Sequence, residues 1–437
     1  MPLLPLYPFD KYDIMDKETR KEMKQMADQI LTVKVRLKPT DKQARQFNAV
    51  SEAYRQACNQ TSVWYFSHHF EVARKDFNHD MYYLLKESHP TLNTAMIQSV
   101  YRTVKARYDT VKTQLIKSPY KVWSGKYDNK KKKIYLYFKR DLEWLQKPIL
   151  FKRKQADYLR NTNYSFTKEY GQISLNVLGS RIKVDYSHNF NHLLFAPNGK
   201  LGTAKLVSMC GHWFLHIPIA INTNELENNQ IRHVVGIDRG LRFLATCYDE
   251  KGKTRFASGK KVMRVRNKYK KLRAELQKRG TKSAKRRLKK IGQRENRWMA
   301  DVNHRLSKAL VNHYGKNSLF VLEDLTGVTF NTVKKRKKEN RYEQNSWAFY
   351  QLEQFLTYKA QLNNSKVIEV SAEYTSQRCP KCGRINKDNR NHDLHLYQCD
   401  RCGYSTNDDR IASINIQYLG TEYVTGNPSP RFIKEQQ

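Results

Sequence analysis

Residues 379–410 read CPKCGRINKDNRNHDLHLYQCDRCGYSTNDDR, and this stretch holds two kinds of chemistry side by side. The pairs Cys379/Cys382 and Cys399/Cys402 are separated by sixteen residues. That spacing suits tetrahedral Zn²⁺, and thiolates choose zinc over magnesium. Four thiolates close the coordination shell, so the expected role of the ion is to fold a small lobe. His392 and His395, between the pairs, read as exposed loop residues and not as ligands. Arg378, Lys381, Arg384 and Arg401 surround the cysteines, either as solvated charges or as contacts to a nucleic-acid strand. After the second pair come Asn407, Asp408 and Asp409.

Two further acids stand at the ends of apolar strand patterns. Asp238 follows Val234–Ile237 and precedes Arg239-Gly240, while Glu323 follows Leu319–Leu322. An acid in such a pattern is costly to bury unless something pairs with it. With Asp409 opening the final helix, the three acids predict a shared cation. Mg²⁺ or Mn²⁺ prefers carboxylate oxygens and keeps several waters. Two such ions can activate a water and stabilise the leaving oxygen of a phosphodiester. Periodicity does not choose between Asp408 and Asp409, since either can cap or open the helix.

The elements that must position these groups sit in a very basic chain. Its 437 residues carry 81 Lys and Arg against 41 Asp and Glu, a formal net charge of +40. The length predicts roughly two to four domains. Such a charge repels itself unless a polyanion neutralises it, and nucleic acid is that polyanion. A membrane surface fits less well, because no long apolar span or signal peptide is legible. A basic protein of the ribosomal type would share the charge but not the acids. The chain has 27 tyrosines, many beside Lys or Arg, as in KKKKIYLYFKR at 130–140. Rings beside cations suit nucleic acid; Tyr and Lys on alternating faces of a half-buried strand is the competing reading. Seven cysteines are too few for a secreted disulfide framework, and Cys58, Cys210 and Cys247 read as buried thiols. The expected compartment is the reducing cytoplasm of a prokaryotic cell, in association with the nucleoid.

Residues 30–38 alternate and read as a strand, and Thr40 with Gln43 fits a capping box opening a helix. A second long helix carries Ile97, Val100, Val104, Tyr108, Val111 and Leu115 and ends at Ser118-Pro119. Arg102 and Lys105 on its polar face are candidate nucleic-acid contacts. From 121 to 222 the pattern turns to strands, and the strand at 30–38 is expected to join them. The result is a β-barrel with a helical bundle inserted. Beyond a polar linker, Val234–Ile237, Arg242–Tyr248 and Thr254–Ala257 read as strands with a hairpin at Asp249–Gly252. Residues 260–312 form basic helices, 318–325 a strand, 332–345 a very basic loop, and the residues after 420 a loose tail.

The order VVGIDRG, LEDLTG, TSQRCPKCG…CDRCGYSTNDDRIASINI resembles the RuvC-like nuclease of the TnpB family. These are transposon-encoded, RNA-guided DNA endonucleases related to miniature type V CRISPR effectors. The resemblance is specific over 230–420 and looser over 30–222. It implies an α+β multidomain fold: a β-barrel wedge domain with an inserted helical recognition domain, then an RNase H-like (RuvC) α/β nuclease domain with an inserted zinc ribbon. In segments, this is an arm at 1–29, wedge at 30–40 and 121–222, and recognition domain at 41–120. The nuclease takes 223–373 and 406–420, the zinc-binding target-nucleic-acid lobe 374–405, and the tail 421–437.

The resemblance further implies Asp238, Glu323 and Asp409 as catalytic Mg²⁺ ligands, Zn²⁺ on the four cysteines, and Arg378, Lys381 and Arg401 feeding DNA to the metals. Its register selects Asp409, three residues before Ala412 and six before Asn415-Ile416, and leaves Asp408 as the helix cap. Ile411 stands where the family often has Asn. The implied partners are a guide RNA from the transposon end and target double-stranded DNA beside a short flanking motif; monomer and dimer stay open. Three alternatives are a miniature effector with a CRISPR RNA, a nuclease-inactive repressor, and a strand-transfer transposase. The repressor reading expects a missing acid, and all three are present. The knuckle between the second and third acids favours the nuclease over the transposase.

Overall fold

The computed structural model describes residues 29–433, except 129–131, 168–170, 188–193, 196–198, 222, 224–225, 326–348 and 392–393. The expected N-terminal arm up to residue 28, the basic loop and His392 therefore lie outside the described residues. The chain divides into two compact units, Met1–Asn222 and Thr223–Gln437.

In the first unit, strand β1 (Gln29–Lys38) buries every second residue from Val33 to Leu37. Helix α1 (Asp41–Ser67) starts at the expected capping box: Gln43 N–H donates to Thr40 Oγ1, and Thr40 N–H donates to Gln43 Oε1. Two short helices, α2 (Arg74–Asp80) and α3 (Tyr82–Ser88), precede α4 (Thr94–Ile116). The apolar stripes of α1 and α4 meet through Phe47, Val50, Tyr54, Ile97, Val100 and Val104.

Nine strands follow. They are β2 (Tyr120–Tyr127), β3 (Lys133–Phe138), β4 (Gln155–Tyr158), β5 (Tyr164–Phe166), β6 (Gln172–Val177), β7 (Ser180–Tyr186), β8 (Gly199–Leu201), β9 (Ala204–Met209) and β10 (His212–Ile221). Eight strands of the unit form one sheet in the order β4-β9-β10-β1-β7-β6-β5, with β8 paired to β10. Its edge strands β4 and β5 are close in sequence, and an Arg160–Tyr164 bridge joins their ends, so the sheet nearly closes. The expectation that 121–222 is one barrel needs correction. Strands β2 and β3 pair only with each other, as a separate ribbon. Alternation had identified them as strands, but it cannot say which sheet a strand enters. Cys58 is buried as expected, whereas Cys210 is exposed, in the β9–β10 turn at φ 54°.

The second unit opens with β11 (His233–Asp238), β12 (Phe243–Tyr248) and β13 (Thr254–Ser258). Then come the basic helices α5 (Lys260–Arg279) and α6 (Lys282–Tyr314), strand β14 (Ser318–Asp324), helix α7 (Phe349–Leu362) and strand β15 (Lys366–Ser371). The sheet order is β13-β12-β11-β14-β15. The first three strands are antiparallel, while β14 runs parallel to both β11 and β15. A three-stranded sheet, β16 (Arg390–Asn391), β17 (Leu396–Gln398) and β18 (Ser405–Asn407), belongs to the cysteine lobe. The last helix, α8 (Asp408–Val424), lies across the main sheet.

Glycine permits that last packing. A Cβ on Gly236 of β11 would sit 2.2 Å from the Ser413 carbonyl oxygen and 2.3 Å from the Gln417 nitrogen of α8. Backbone meets backbone, so no side chain can move aside. A Cβ on Gly420 of α8 would instead meet side chains, Val321 Cγ2 of β14 at 2.4 Å and Val234 Cγ1 of β11 at 2.9 Å. Gly236→Ala is expected to destabilise by about 3 kcal/mol or more, lowering the melting temperature of this unit by roughly 6–12 °C. An unchanged melting curve would contradict this packing.

The tail also differs from expectation. Helix α8 continues to Val424, and Phe432 is buried against Leu319, Val321, Val370, Ile416 and Leu419. A lone aromatic after two prolines carries no periodic signal.

Candidate active site and metal centre

Strand and helix periods set Asp238 near both Glu323 and Asp409, and the charges of both reach it. Asp238 lies two residues beyond Gly236, on the same face of β11. Parallel pairing sets Gly236 opposite Val321 and Ile237 opposite Leu322, so Glu323 follows next to Asp238 at the ends of adjacent strands. Val321 faces α8 through Gly420, and Glu323 shares that face. Asp409 lies about one helical turn before Ser413, the residue seated on Gly236. Burial, then the charges of Glu323 and Asp409, push the Asp238 carboxyl well above the usual carboxylate range. Burial raises Glu323 too, opposed by the Thr375 hydrogen bond and by Arg239. Burial and Asp408 raise Asp409, and Arg390 opposes them. A group of acids that disfavours its own ionisation is a natural cation site.

Around the acids stand residues that hold them in place. Thr375 Oγ1 donates to Glu323 Oε1 at 2.6 Å. Arg239 donates to the Glu323 carbonyl at 2.5 Å and pairs with Glu353 of α7 at 2.9 Å. The Arg239 side chain is 1% exposed and that of Glu353 20%, so the pair is buried on the arginine side. Glu369 of β15 is pushed up to about 7 by burial and by its neighbour Glu353. Buried Asn415 donates to the carbonyls of Thr375 and Arg378, at 2.7 and 2.8 Å, pinning the entry of the cysteine lobe onto α8.

The cap of α8 is Asn407, not Asp408. Asn407 Oδ1 accepts from the backbone N–H of Asp409 and Arg410. Asp408 is the first helical residue and its side chain is buried. There Arg390 Nε donates to Asp408 Oδ2 at 3.1 Å, and His395 Nδ1 lies 3.5 Å from Asp408 Oδ1. His395, Asp408 and Asp409 thus form one close group, and His395 is not the free loop residue expected. Arg390 also lies 3.9 Å from Asp409.

The four cysteines gather separately. Cys379 Sγ lies 3.6 Å from Cys402 Sγ, and Cys382 Sγ 3.5 Å from Cys399 Sγ. Zinc–sulfur bonds of about 2.3 Å at tetrahedral angles put sulfurs about 3.8 Å apart, so the cluster fits that ion. Ile411 of α8 packs on Cys379, Tyr397 and Cys399, so the lobe rests on the helix at the position where the family often has Asn.

The candidate nucleic-acid residues divide. Lys381, Arg401 and Arg102 are exposed. Lys105 is exposed but paired with Asp109 at 2.9 Å. The Arg378 guanidinium lies against two rings, 4.6 Å from the Phe432 centroid and 5.0 Å from that of Tyr418, so it braces the C-terminal segment. Sequence reasoning misses Thr375 and Arg390, and it uses Asn415 as a register mark without its bonding role. Only Asn415 leaves a trace, as a lone amide inside the apolar run IASINI.

Known families match the same region. The Cas12f1-like TNB domain family matches residues 349–416, and the probable transposase family OrfB_IS605 matches 216–327. A TnpB-like protein of Methanocaldococcus jannaschii is 29% identical over 193 residues, covering 42% of this chain and 68% of its own. Over these regions the chain is similar to TnpB-like proteins and miniature type V effectors. Within that group, a CRISPR-associated endodeoxyribonuclease Cas12f1 of Sulfoacidibacillus thermotolerans is 38% identical over 117 residues, 26% of each chain. Another Cas12f1, from Syntrophomonas palmitatica, is 25% identical over 223 residues, 48% of this chain and 42% of its own. The chain thus spans about a quarter and about two fifths of the length of these two Cas12f1 relatives. The solved mini-RNA-guided endonuclease CRISPR-Cas_phi3 shares the fold, with a TM-score of 0.52 over 95% of this chain and 98% of its own, at 11% identity. Among the described residues, no helix is long and apolar enough to cross a membrane.

Proposed function

We propose that this chain is an RNA-guided DNA endonuclease with an RNase H-like (RuvC) nuclease site at Asp238, Glu323 and Asp409. The observation that carries the reading is that Asp238 and Glu323 end adjacent strands while Asp409 lies in the first turn of α8, with the charges of both Glu323 and Asp409 reaching Asp238. They would hold Mg²⁺ or Mn²⁺, which when bound supplies a Lewis acid and an activated water for phosphodiester hydrolysis. The chain's own residues do the rest. Thr375 and Arg239 hold Glu323 in place, Arg390 and Asn407 fix the start of α8, and α5 and α6 offer cations to backbone phosphates. The nearly closed sheet would be the wedge and α1–α4 the recognition domain, reading a short motif while base pairing reads the target. The cysteine lobe would hold zinc and guide the target strand with Lys381 and Arg401.

The test is purification with nucleic acid retained, sequencing of the bound RNA, and a cleavage assay with that RNA, matching DNA and Mg²⁺. A discrete RNA from the gene's own flank and Mg²⁺-dependent cutting are expected; absence of any specific RNA would overturn the reading. The Cas12f1 relatives favour a second form of the same reading, a miniature effector with a CRISPR RNA. Repeat-derived sequence in the bound RNA would identify it.

A paired substitution separates the adjacent aspartates. Asp409→Ala is expected to abolish cutting with the fold intact. Asp408→Ala removes the nearer acid from Arg390 and is expected to cost about 2–3 kcal/mol, less than a fully buried pair because Arg390 keeps Asp409 nearby and some access to water. Equal loss of cutting at equal stability in both variants would contradict this division.

A further inference from the structure

We propose that one face of the β2–β3 ribbon is a stacking surface for unpaired bases of the bound RNA. This rests on the RNA-binding part of the function proposed above and adds to it a site outside both metal centres.

Cross-strand partners share a face, and the register pairs Lys121 with Tyr137, Trp123 with Tyr135, and Tyr127 with Lys133. Those six residues therefore lie on one side: four rings and two ammonium groups. The Trp123 and Tyr127 rings are 5.9 Å apart. Lys121 Nζ sits 3.7 Å from the Tyr135 centroid and 5.7 Å from that of Tyr137, and Lys133 Nζ is 5.0 Å from that of Trp123. The rings are not core: Trp123 is 46% exposed, Tyr127 56% and Tyr137 48%.

A two-stranded ribbon with open faces is marginal in water and holds its rings there at a cost. A structural role would have buried them in the neighbouring sheet, which the ribbon does not join. A row of rings interleaved with cations is what a flexible polyanion with flat bases requires. Each base takes a ring face, and the displaced ammonium turns to the adjacent phosphate. RNA is the favoured occupant because its loops and bulges offer unpaired bases in the free state, whereas duplex DNA keeps its bases stacked. The opposite face pairs Val122 with Leu136 and Tyr120 with Phe138, and Leu136, an aliphatic residue on it, serves as the internal control.

The experiment uses the full chain and the RNA that co-purifies with it. Trp123→Ala with Tyr137→Ala is expected to weaken RNA binding about tenfold or more, with little change in the slope of affinity against salt. Lys121→Gln with Lys133→Gln is expected to lower that slope. Leu136→Thr, on the other face, should leave both unchanged. Ultraviolet crosslinking of the wild-type complex should map to Trp123, Tyr127 or Tyr137. Wild-type affinity in the ring variant, with no crosslink on the ribbon, would overturn the proposal while leaving the function standing. A wild-type chain that retains no specific RNA would sink the function itself. Crosslinks to target DNA alone, or a ribbon-dependent dimer of RNA-free protein, would also overturn the proposal by assigning the face to another occupant.

Discussion

Asp238→Ala is expected to lower target cutting by at least about a thousandfold while RNA retention stays at the wild-type level. Losing one ligand of the metal site removes several kcal/mol of transition-state stabilisation, and each 1.36 kcal/mol is tenfold in rate. The same change has a second, less obvious consequence for stability. Burial and the neighbouring acids raise the Asp238 pKa in the folded chain. Its contribution to stability is therefore full below the ordinary carboxylate range and lost as pH rises through the raised value. Above the ordinary carboxylate range, in protein stripped of divalent ions, the buried carboxyl therefore weighs against the fold. Asp238→Ala should then melt at or above the wild-type temperature in chelator. Mg²⁺ should raise the melting temperature of the wild type more than that of the variant. Cutting by the variant at the wild-type rate would refute the catalytic assignment. A large fall in its melting temperature in chelator would point to a structural role instead.

Cys399→Ser is expected to release zinc and unfold the cysteine lobe. The lobe has little core of its own: Cys379, Tyr397 and Cys399 are buried, and Ile411 is supplied by α8. Segments below about 40 residues usually need a metal or disulfides to fold, and structural zinc is worth roughly 10–16 kcal/mol in small fingers. Loss of the lobe also takes Arg390 away from Asp408 and Asp409, so cutting should fall with it. Zinc content by elemental analysis is the direct readout. Unchanged zinc in the variant would remove the claim.

What the sequence disclosed, it disclosed through residue type and spacing. The cysteines and the acids at strand ends are legible because apolar patterns make a carboxylate conspicuous. The capping box at Thr40, the strands and the long helices follow from short-range periods. The cap of α8 was misassigned because Asn407 and Asp408 are both good caps and adjacent, so only geometry decides. Arg390 was invisible because it is one cation among many. Its importance comes from facing Asp408 across the three-stranded sheet of the lobe. The ribbon was recognised as strands but misplaced, since alternation marks faces and says nothing of what covers them. Phe432 and Thr375 act singly at long range, where no pattern exists to be read.

Strand β1 lies in the middle of its sheet, yet its partner β10 follows roughly 180 residues later. During synthesis at about 5–20 residues per second, β1 waits on the order of ten to forty seconds before that partner emerges. The α1–α4 bundle, built from nearer contacts, has what it needs earlier. The chain is thus expected to fold its helical insertion first and to close the surrounding sheet around it last. Through that interval β1 offers the alternating apolar row Val33, Val35 and Leu37 to any other strand. Its flanking Lys34, Arg36 and Lys38 then act as a kinetic guard, repelling the same strand of a neighbouring nascent chain until β10 arrives.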